Sequence, residues 1–192
     1  MSFVCHVPAQ TTKDVAGNES APTEPFTIRI DKTPPVVSVP APITVNATGP
    51  AGATVSYEAG ATDNLDPSPA IACAPASGDV FSIGTTTVTC KATDDAGNPS
   101  ATNQFTVKVL SAAEQLDALR TAVTGVGAGS SLADTVKQIQ KAVADGRTSS
   151  ACSGLNEFLT MVARQAKGNN LTSAQAASFT AQANRVRAVL SC

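Results

Sequence analysis

The sequence predicts an all-β sandwich followed by a separate all-α bundle of four helices. Before Leu110 the chain is rich in Thr, Val, Pro and Gly. Its apolar residues there fall in short alternating runs, which are typical of strands. After Leu110 Ala, Gln and Leu dominate and Pro is absent. This shift in composition indicates a domain boundary close to residue 110.

The composition excludes several classes of function. The chain has 192 residues, a formal net charge of -2 and only 4% aromatic residues, so it has no basic stripe of the kind that nucleic-acid binding requires. No apolar run has the length of a transmembrane helix. The opening "MSFVCHVPAQ" lacks the basic and apolar regions of a signal peptide. The five separated cysteines suit disulfides in an exported protein, so we interpret the chain as the processed or truncated C-terminal piece of a secreted protein whose signal lies upstream.

An internal repeat organises the β half. The segment "DVAGNESAPTEPFTIRI", residues 14–30, aligns with "DDAGNPSATNQFTVKVL", residues 94–110. The Ala-Gly-Asn triplets superpose, and each is followed by a strand whose apolar residues alternate with polar ones. Residues 1–30 are therefore predicted to be the terminal strands of an incomplete upstream repeat. Residues 31–110 are predicted to form the complete β-sandwich, and residues 111–192 the helical domain.

The complete repeat opens at Asp31 with "DKTPPVVSV". Pro34 and Pro35 each lack a backbone donor and hold this link extended. Seven short strands separated by turn residues are typical of a sandwich. The predicted strands are Val36–Val39, Ile43–Ala47, Ala53–Glu58, Ala70–Ala74, Val80–Ile83, Thr86–Ala92 and Gln104–Leu110.

Capping residues mark the ends of the predicted helices. Ser111 with Glu114 and Thr172 with Gln175 have the spacing of capping boxes, and Ser131 is expected to cap the second helix. Gly146 and Gly168 are placed to end helices, and Leu171 to form a hydrophobic staple with Ala176. The predicted apolar faces of helices two to four comprise Leu132, Val136, Ile139 and Val143; Leu155, Phe158, Leu159 and Val162; and Phe179, Ala183, Val186 and Leu190.

Residues 61–98, "ATDNLDPSPAIACAPASGDVFSIGTTTVTCKATDDAGN", contain a series of family motifs. An acid-rich loop, a cysteine, Pro-x-Ser-Gly, Phe and Gly-Thr-Thr-x-Val-x-Cys are followed by Ala-x-Asp-x-Ala-Gly-Asn. With these motifs, residues 31–110 resemble the hyalin repeat, or HYR domain. The resemblance implies an immunoglobulin-like sandwich with a disulfide between Cys73 and Cys90. It also implies an extracellular protein in which the repeat serves adhesion or acts as a spacer.

The helical half resembles a second family. The segments "ACSGLNEFLTMVARQ" and "LTSAQAASFTAQANRVRAVLSC" and the glycine break between them are similar to the FIMAH domain, a helical module at the ends of secreted bacterial proteins. Gly154 and Glu157 depart from the more apolar or neutral residues expected at their positions. The resemblance implies no catalytic role for residues 111–192.

Three further cysteines lie outside the HYR motifs. Cys152 and Cys192 can meet if the third and fourth helices run antiparallel. Cys5 is then the odd cysteine, and its expected partner lies in the missing strands of the upstream repeat. Zinc binding is rejected because paired Cys or His spacing is absent from the sequence.

Two acid-rich loops raise the question of a metal site. Asp63 and Asp66 lie in one loop, and Asp94, Asp95 and Asn98 lie in another. Oxygen ligands from two loops at one end of a sandwich suit Ca²⁺. The alternative is that these side chains only cap turns. The turn is favoured because the pattern recurs at residues 14–18, so no cofactor is predicted and Ca²⁺ remains the one candidate.

The sequence does not predict an enzyme. His6 is the single histidine, and the sequence contains no set of nucleophile, base and orienting residue. The expected function is that of a non-catalytic spacer or adhesion module in a secreted or cell-surface bacterial protein. Its expected partners are upstream domains and an extracellular protein or carbohydrate, without nucleic acid or membrane insertion. The alternatives are an ancillary region of a secreted hydrolase whose catalytic domain lies upstream, and a calcium-dependent binding module.

Overall fold

A computed structural model describes residues 3–192, and within that range the chain forms ten strands followed by four helices. The prediction of an all-β part followed by an all-α part is therefore confirmed. The strands are β1 (Phe3–Val7), β2 (Phe26–Ile30), β3 (Val36–Ser38), β4 (Ile43–Asn46), β5 (Ala53–Thr54), β6 (Gly60–Thr62), β7 (Ala70–Ala74), β8 (Val80–Phe81), β9 (Gly84–Thr93) and β10 (Asn103–Leu110). The helices are α1 (Ala112–Val123), α2 (Ser131–Ala144), α3 (Thr148–Lys167) and α4 (Ser173–Leu190).

The first two strands form an antiparallel hairpin. Phe3 lies opposite Ile30 at one end, and Val7 lies opposite Phe26 at the other. The connection between the two strands contains the Asp14–Asn18 turn. The strand predicted after this turn is therefore β2.

The remaining strands form small sheets of the sandwich type. The largest has four strands in the order β4-β10-β9-β7, with β4 parallel to β10 and β7 antiparallel to β9. Two further antiparallel pairs are β3 with β6 and β5 with β8. These sheets include the seven predicted strands and one that the sequence did not predict. Ala70–Ala74 has the predicted bounds, and the other six have shifted ends.

Two differences from the predicted strands have local causes. Strand β6 was missed because Gly60-Ala61-Thr62 is short and has no alternation of apolar and polar residues. The strand predicted over Ala53–Glu58 ends at Thr54. Beyond it, Tyr57 N donates to a side chain, Ser77 Oγ, at 2.9 Å instead of continuing a ladder.

The chain divides into two compact units. One consists of the chain up to Val39 with Glu58–Ala74 and Thr89–Gln104, and its buried residues include Val37 and Ala92. The other consists of Pro40–Tyr57, Pro75–Val88 and Phe105–Cys192, so it contains strand residues together with all four helices. The buried core of this second unit includes Phe81, Val88, Val107, Leu116, Leu119, Leu132, Ile139, Leu155, Phe158 and Val186.

Helix α1 follows β10 after a single residue, Ser111. The predicted capping box is formed, since Glu114 N donates to Ser111 Oγ at 3.3 Å and Ser111 N donates to Glu114 Oε2 at 2.9 Å. Gln115 is buried, and its Nε2 donates to Ala47 O at 3.1 Å and to Leu110 O at 3.0 Å. The first turn of α1 is thereby bonded directly to the ends of two strand segments.

The other helix signals are mostly confirmed. Thr172 and Gln175 form the second capping box, and Leu171 is buried beside it. The cap predicted at Ser131 is wrong, because Ser131 is already helical and the cap residue is Ser130, which makes no side-chain capping bond. On α4 Val189 is buried instead of the predicted Leu190.

The glycine at position 154 has a packing role in α3. A Cβ atom added there would lie 2.7 Å from Ile139 Cγ1 of α2, which is closer than two carbon atoms can approach. The absence of a side chain therefore allows α2 and α3 to pack closely at this point. None of the helices among residues 3–192 combines the length and the apolar character needed to cross a membrane.

Candidate metal centre

The Asp94–Asn98 segment forms a turn held by its own side chains. Asp94 Oδ1 accepts a hydrogen bond from Asn98 N, and Asp94 Oδ2 accepts one from Asn98 Nδ2, both at 2.7 Å. The earlier copy has the same bonds, from Asn18 N and Nδ2 to the Asp14 carboxylate at 2.9 Å. The Asp and Asn side chains therefore build the turn in both copies.

The predicted ligand Asp66 fixes two loops to each other. Its carboxylate is buried, and Oδ1 accepts from Ser68 N at 2.8 Å while Oδ2 accepts from Asp95 N at 3.0 Å. Asp95 contributes its backbone N–H to this contact, and its side chain is exposed. Both carboxylate oxygens of Asp66 thus have backbone donors, which account for its burial without a metal.

Asp63 has one satisfied oxygen and one that accepts no hydrogen bond. Oδ1 accepts from Leu65 N at 2.9 Å and from Asp66 N at 3.1 Å. These backbone donors, Leu65 first, hold the pKa of Asp63 below its usual value, so the group is a carboxylate at neutral pH. Oδ2 is fully buried and has no hydrogen-bond donor.

Three carboxyl groups meet where β2, β6 and β9 end. Asp31, Asp63 and Asp94 each contribute an oxygen, and these three oxygens lie within 4.8 Å of one another. Asp31 follows β2 directly, while the other two follow β6 and β9. We refer to these three residues as the acidic triad.

The acidic triad differs from the ligand set predicted from the sequence. Asp63 and Asp94 are brought together as expected, but Asp66 and Asp95 lie outside the triad. Asn98 directs its amide nitrogen to Asp94 Oδ2 and, at 3.4 Å, to Asp31 O. Asp31 was not predicted as a ligand, although the sequence shows it at the start of "DKTPP", directly after the strand FTIRI.

The cysteines pair as predicted. Cys73 and Cys90 lie directly opposite each other on β7 and β9 and form a disulfide, with Cα atoms 4.1 Å apart. Cys152 and Cys192 form a second disulfide, with Cα atoms 5.6 Å apart. Cys5 is a free, exposed thiol on β1 in the described part of the chain. The neighbouring His6 is also exposed, and its Nδ1 lies 3.3 Å from Thr27 Oγ1.

Residues 30–109 match the HYR domain family. Among curated proteins the chain is similar to a hyalin of Lytechinus variegatus, with 39% identity over 98 residues that make up 47% of this chain. It is also similar to a hyalin of Strongylocentrotus purpuratus, with 36% identity over 104 residues, or 52% of this chain. The matched regions span 18% and 9% of those two proteins. No solved structure matches the chain significantly.

The comparisons bear on only one of the two resemblances. The HYR resemblance is supported by the family match and by both hyalins. The similarity of residues 111–192 to the FIMAH domain stays a prediction, because the family match ends at residue 109.

Proposed function

We propose that this chain is a non-catalytic, extracellular module of the adhesion or spacer type. The observation that carries the proposal is the match of residues 30–109 to the HYR domain, together with the similarity to two hyalins. The predicted division at residues 30 and 110 is part of the proposal, with the HYR domain preceded by a partial repeat and followed by a helical module.

The disulfides support an extracellular location. Such bonds persist in oxidising compartments and are rare in the cytosol. The Cys73–Cys90 bond closes a short loop, for which the chain-entropy account gives a stabilisation of about 3 kcal/mol. A sandwich of about 80 residues buries a limited core, so a contribution of that size is a large part of its stability.

The alternatives differ in their support. Neither the hyalin similarities nor the site described above favours an ancillary role in a secreted hydrolase, and neither hyalin favours a bacterial source. Calcium-dependent binding is the second candidate function, because the acidic triad contains a buried carboxylate oxygen that lacks a donor. The proposed partners are an extracellular protein or carbohydrate and further domains of the same polypeptide.

Adhesion is tested with beads coated with the non-reduced chain. The measurements are aggregation of the beads and their attachment under flow to surfaces bearing extracellular-matrix proteins or glycans. We expect attachment above that of albumin-coated beads and its loss after reduction of the disulfides. Attachment equal to that of albumin-coated beads on every surface would contradict the adhesion function.

A further inference from the structure

A polar cavity of about 320 Å³ lies in the second unit, between the end of β4 and the helices α1 and α4. Apart from two alanines its lining is polar and consists of Asn46, Gln115, Ser178, Gln182 and Arg185. A water molecule has a share of about 30 Å³ in the liquid, whereas pockets for small molecules begin at about 300 Å³. The cavity is therefore large enough for a small ligand.

Gln115 provides an unused acceptor at this cavity. The residue is only 5% exposed, and its Nε2 donates to Ala47 O at 3.1 Å and to Leu110 O at 3.0 Å. Because carbonyl oxygens only accept, these two bonds fix which end of the amide is nitrogen. The other end, Oε1, is buried and has no donor among residues 3–192. A buried acceptor without a donor costs free energy, so the cavity favours a ligand that carries a hydroxyl or N–H group.

Arg185 gives the cavity a positive charge. In the described part of the chain it is the only charged residue of the lining, since neither Asp nor Glu contributes. Arg185 is half-buried and forms no ion pair with any residue in the range 3–192, and its Nε is buried without an acceptor. The guanidinium presents a planar fork of N–H donors that matches a carboxylate. Its charge is therefore available to an anionic ligand.

These two groups together define the chemistry of the ligand. A carboxylate would bind the guanidinium of Arg185, and a hydroxyl group would donate to Gln115 Oε1. Further hydroxyl groups suit the side-chain amides of Asn46 and Gln182, because an amide both donates and accepts. Since Oε1 is covered by its neighbours, binding also requires lining side chains to change rotamer, as is common when complexes form.

Other ligand classes fit these groups less well. An amino acid would bring an ammonium group that has no carboxylate in the lining to pair with, and burying an unpaired charge is costly. An apolar ligand would leave Gln115 Oε1 and Arg185 Nε without partners. Ordered water is the remaining alternative, because water also donates to an acceptor such as Oε1.

We infer that the cavity binds a small hydroxylated carboxylate of the uronic-acid type, with Arg185 on the carboxylate and Gln115 on a hydroxyl group. Apart from Asn46, the polar lining residues lie beyond residue 109, where the HYR match ends. The site therefore belongs mainly to the helical part of the chain. It names a ligand class for the carbohydrate partner proposed above and rests on that proposal.

The test is a nuclear magnetic resonance titration of D-glucuronate into the non-reduced, ¹⁵N-labelled 192-residue chain. We expect saturable shifts of the side-chain N–H signals of Gln115 and Arg185, with a dissociation constant of about 1 mM for a ligand of this size. D-glucose lacks the carboxylate and acetate lacks the hydroxyl groups. Each should bind at least about tenfold more weakly than glucuronate.

Two arginines of α4 provide a matched pair of variants. Arg185→Gln removes the charge of the cavity and should weaken glucuronate binding at least about tenfold. Arg187→Gln alters an arginine two positions further along the same helix and outside the lining, so it should bind like the wild type. Gln115→Leu removes the acceptor together with the bonds to Ala47 and Leu110. Circular dichroism checks its folding, and Arg185→Gln decides the matter if Gln115→Leu does not fold.

Several results would overturn the inference. Unchanged signals at about ten times the expected dissociation constant would show that ordered water alone occupies the cavity. Acetate or glucose bound as tightly as glucuronate would contradict the ligand class, and an Arg185→Gln variant that binds like the wild type would contradict the site. The titration uses no adhesion surface. A failed titration therefore leaves the adhesion function standing, and failed bead attachment leaves the cavity site standing.

Discussion

The two copies of the Asp-x-Ala-Gly-Asn turn and the strand after it share their motif residues, but one strand is exposed and the other is buried. Both turns have the same side-chain bonds, and both strands contain Phe-Thr followed by an apolar residue and a basic one. In β2 Phe26, Ile28 and Ile30 are 56%, 43% and 45% exposed, whereas in β10 Phe105, Val107 and Val109 are 5%, 0% and 0% exposed. Local sequence therefore specifies the turn and the apolar face, but only partner strands bury that face.

One of the covering contacts in the complete repeat is aromatic. The rings of Tyr57 and Phe105 meet edge to face, with centroids 4.9 Å apart. The Tyr57 hydroxyl donates to Pro75 O, which fixes the ring. Phe26 has no such aromatic contact among residues 3–192. The difference between the copies thus comes from residues of the complete repeat that lie far from the turn in sequence.

The largest expected difference between the copies concerns these phenylalanines. Phe105→Ala removes a buried ring and should lower the free energy of unfolding by about 3–5 kcal/mol. Phe26→Ala removes an exposed ring and should change it by at most about 0.5 kcal/mol. Chemical denaturation of both variants measures the two values. Equal losses would mean that the β1–β2 hairpin is packed in solution as tightly as β10.

Substitutions of cysteines in the two copies should differ almost as much in their effect on the free energy of unfolding. The paired change Cys73→Ala with Cys90→Ala removes the disulfide between β7 and β9 and should lower the free energy of unfolding by about 3 kcal/mol. Cys5→Ser changes an exposed free thiol on β1 and should have an effect within about 0.5 kcal/mol. Thermal unfolding under non-reducing conditions compares them. A large effect of Cys5→Ser would show that Cys5 is covered in solution.

The glycines of the two turns provide the most closely matched pair. Gly97 and Gly17 have φ angles of +84° and +87°, and a Cβ atom at either position would meet nothing within 4 Å. Alanine should therefore impose the same backbone strain at both, about 1–2 kcal/mol. Because Gly97 lies between β9 and β10 of the four-stranded sheet, only Gly97→Ala should shift the main unfolding transition. The same shift from Gly17→Ala would show that the β1–β2 pair and the four-stranded sheet unfold together.

The smallest expected effect on stability concerns an ion pair near the end of β10. Lys108 near the end of β10 pairs with Glu114 at 2.8 Å, whereas Arg29, the fourth residue of the FTIRI strand as Lys108 is of FTVKV, has no ion pair of this kind among the described residues. The Lys108 ammonium, followed by the backbone and hydroxyl of Ser111, lowers the pKa of Glu114 to about 2 from 4.5. The folded state therefore gains stability above pH 4.5 and loses it as the pH falls towards 2.

This pH dependence can be measured with Glu114→Gln, which retains the capping acceptor and removes the charge. At pH 7 the wild type should be more stable than the variant by about 0.5 kcal/mol, the value of an exposed pair. The difference should disappear as the pH falls from 4.5 to 2. A difference that stays constant across this range would assign the effect to the capping geometry and not to the ionised carboxylate.

The features that sequence reasoning identified depend on local geometry. The two capping boxes and the repeated turn each involve residues within a few positions of one another, so their spacing is a direct signal. The Cys73–Cys90 pairing followed from the HYR resemblance. Ser131 was misassigned because adjacent serines at 130 and 131 offer two equivalent starts for α2.

The candidate site was harder to predict because its members are distant in sequence. Asp31, Asp63 and Asp94 lie in three separate segments, and only the packing of the loops brings their oxygens within 4.8 Å. The sequence marked acid-rich loops, which drew attention to Asp66 and Asp95. The number of acidic residues and their spacing in the sequence do not distinguish an aspartate that caps a neighbouring loop from one whose carboxylate faces other carboxylates.

The Cys152–Cys192 disulfide determines how the helical module would respond to tension. The bond joins residues 40 positions apart, so a pull on Cys192 passes through sulfur to Cys152 and bypasses most of α3 and all of α4. An unfolded stretch of that length would extend by about 130–140 Å. With the bond intact this extension is unavailable, and the load passes from the start of α3 to α2, then α1 and then β10. An oxidised chain under force should therefore lengthen in smaller steps than a reduced one.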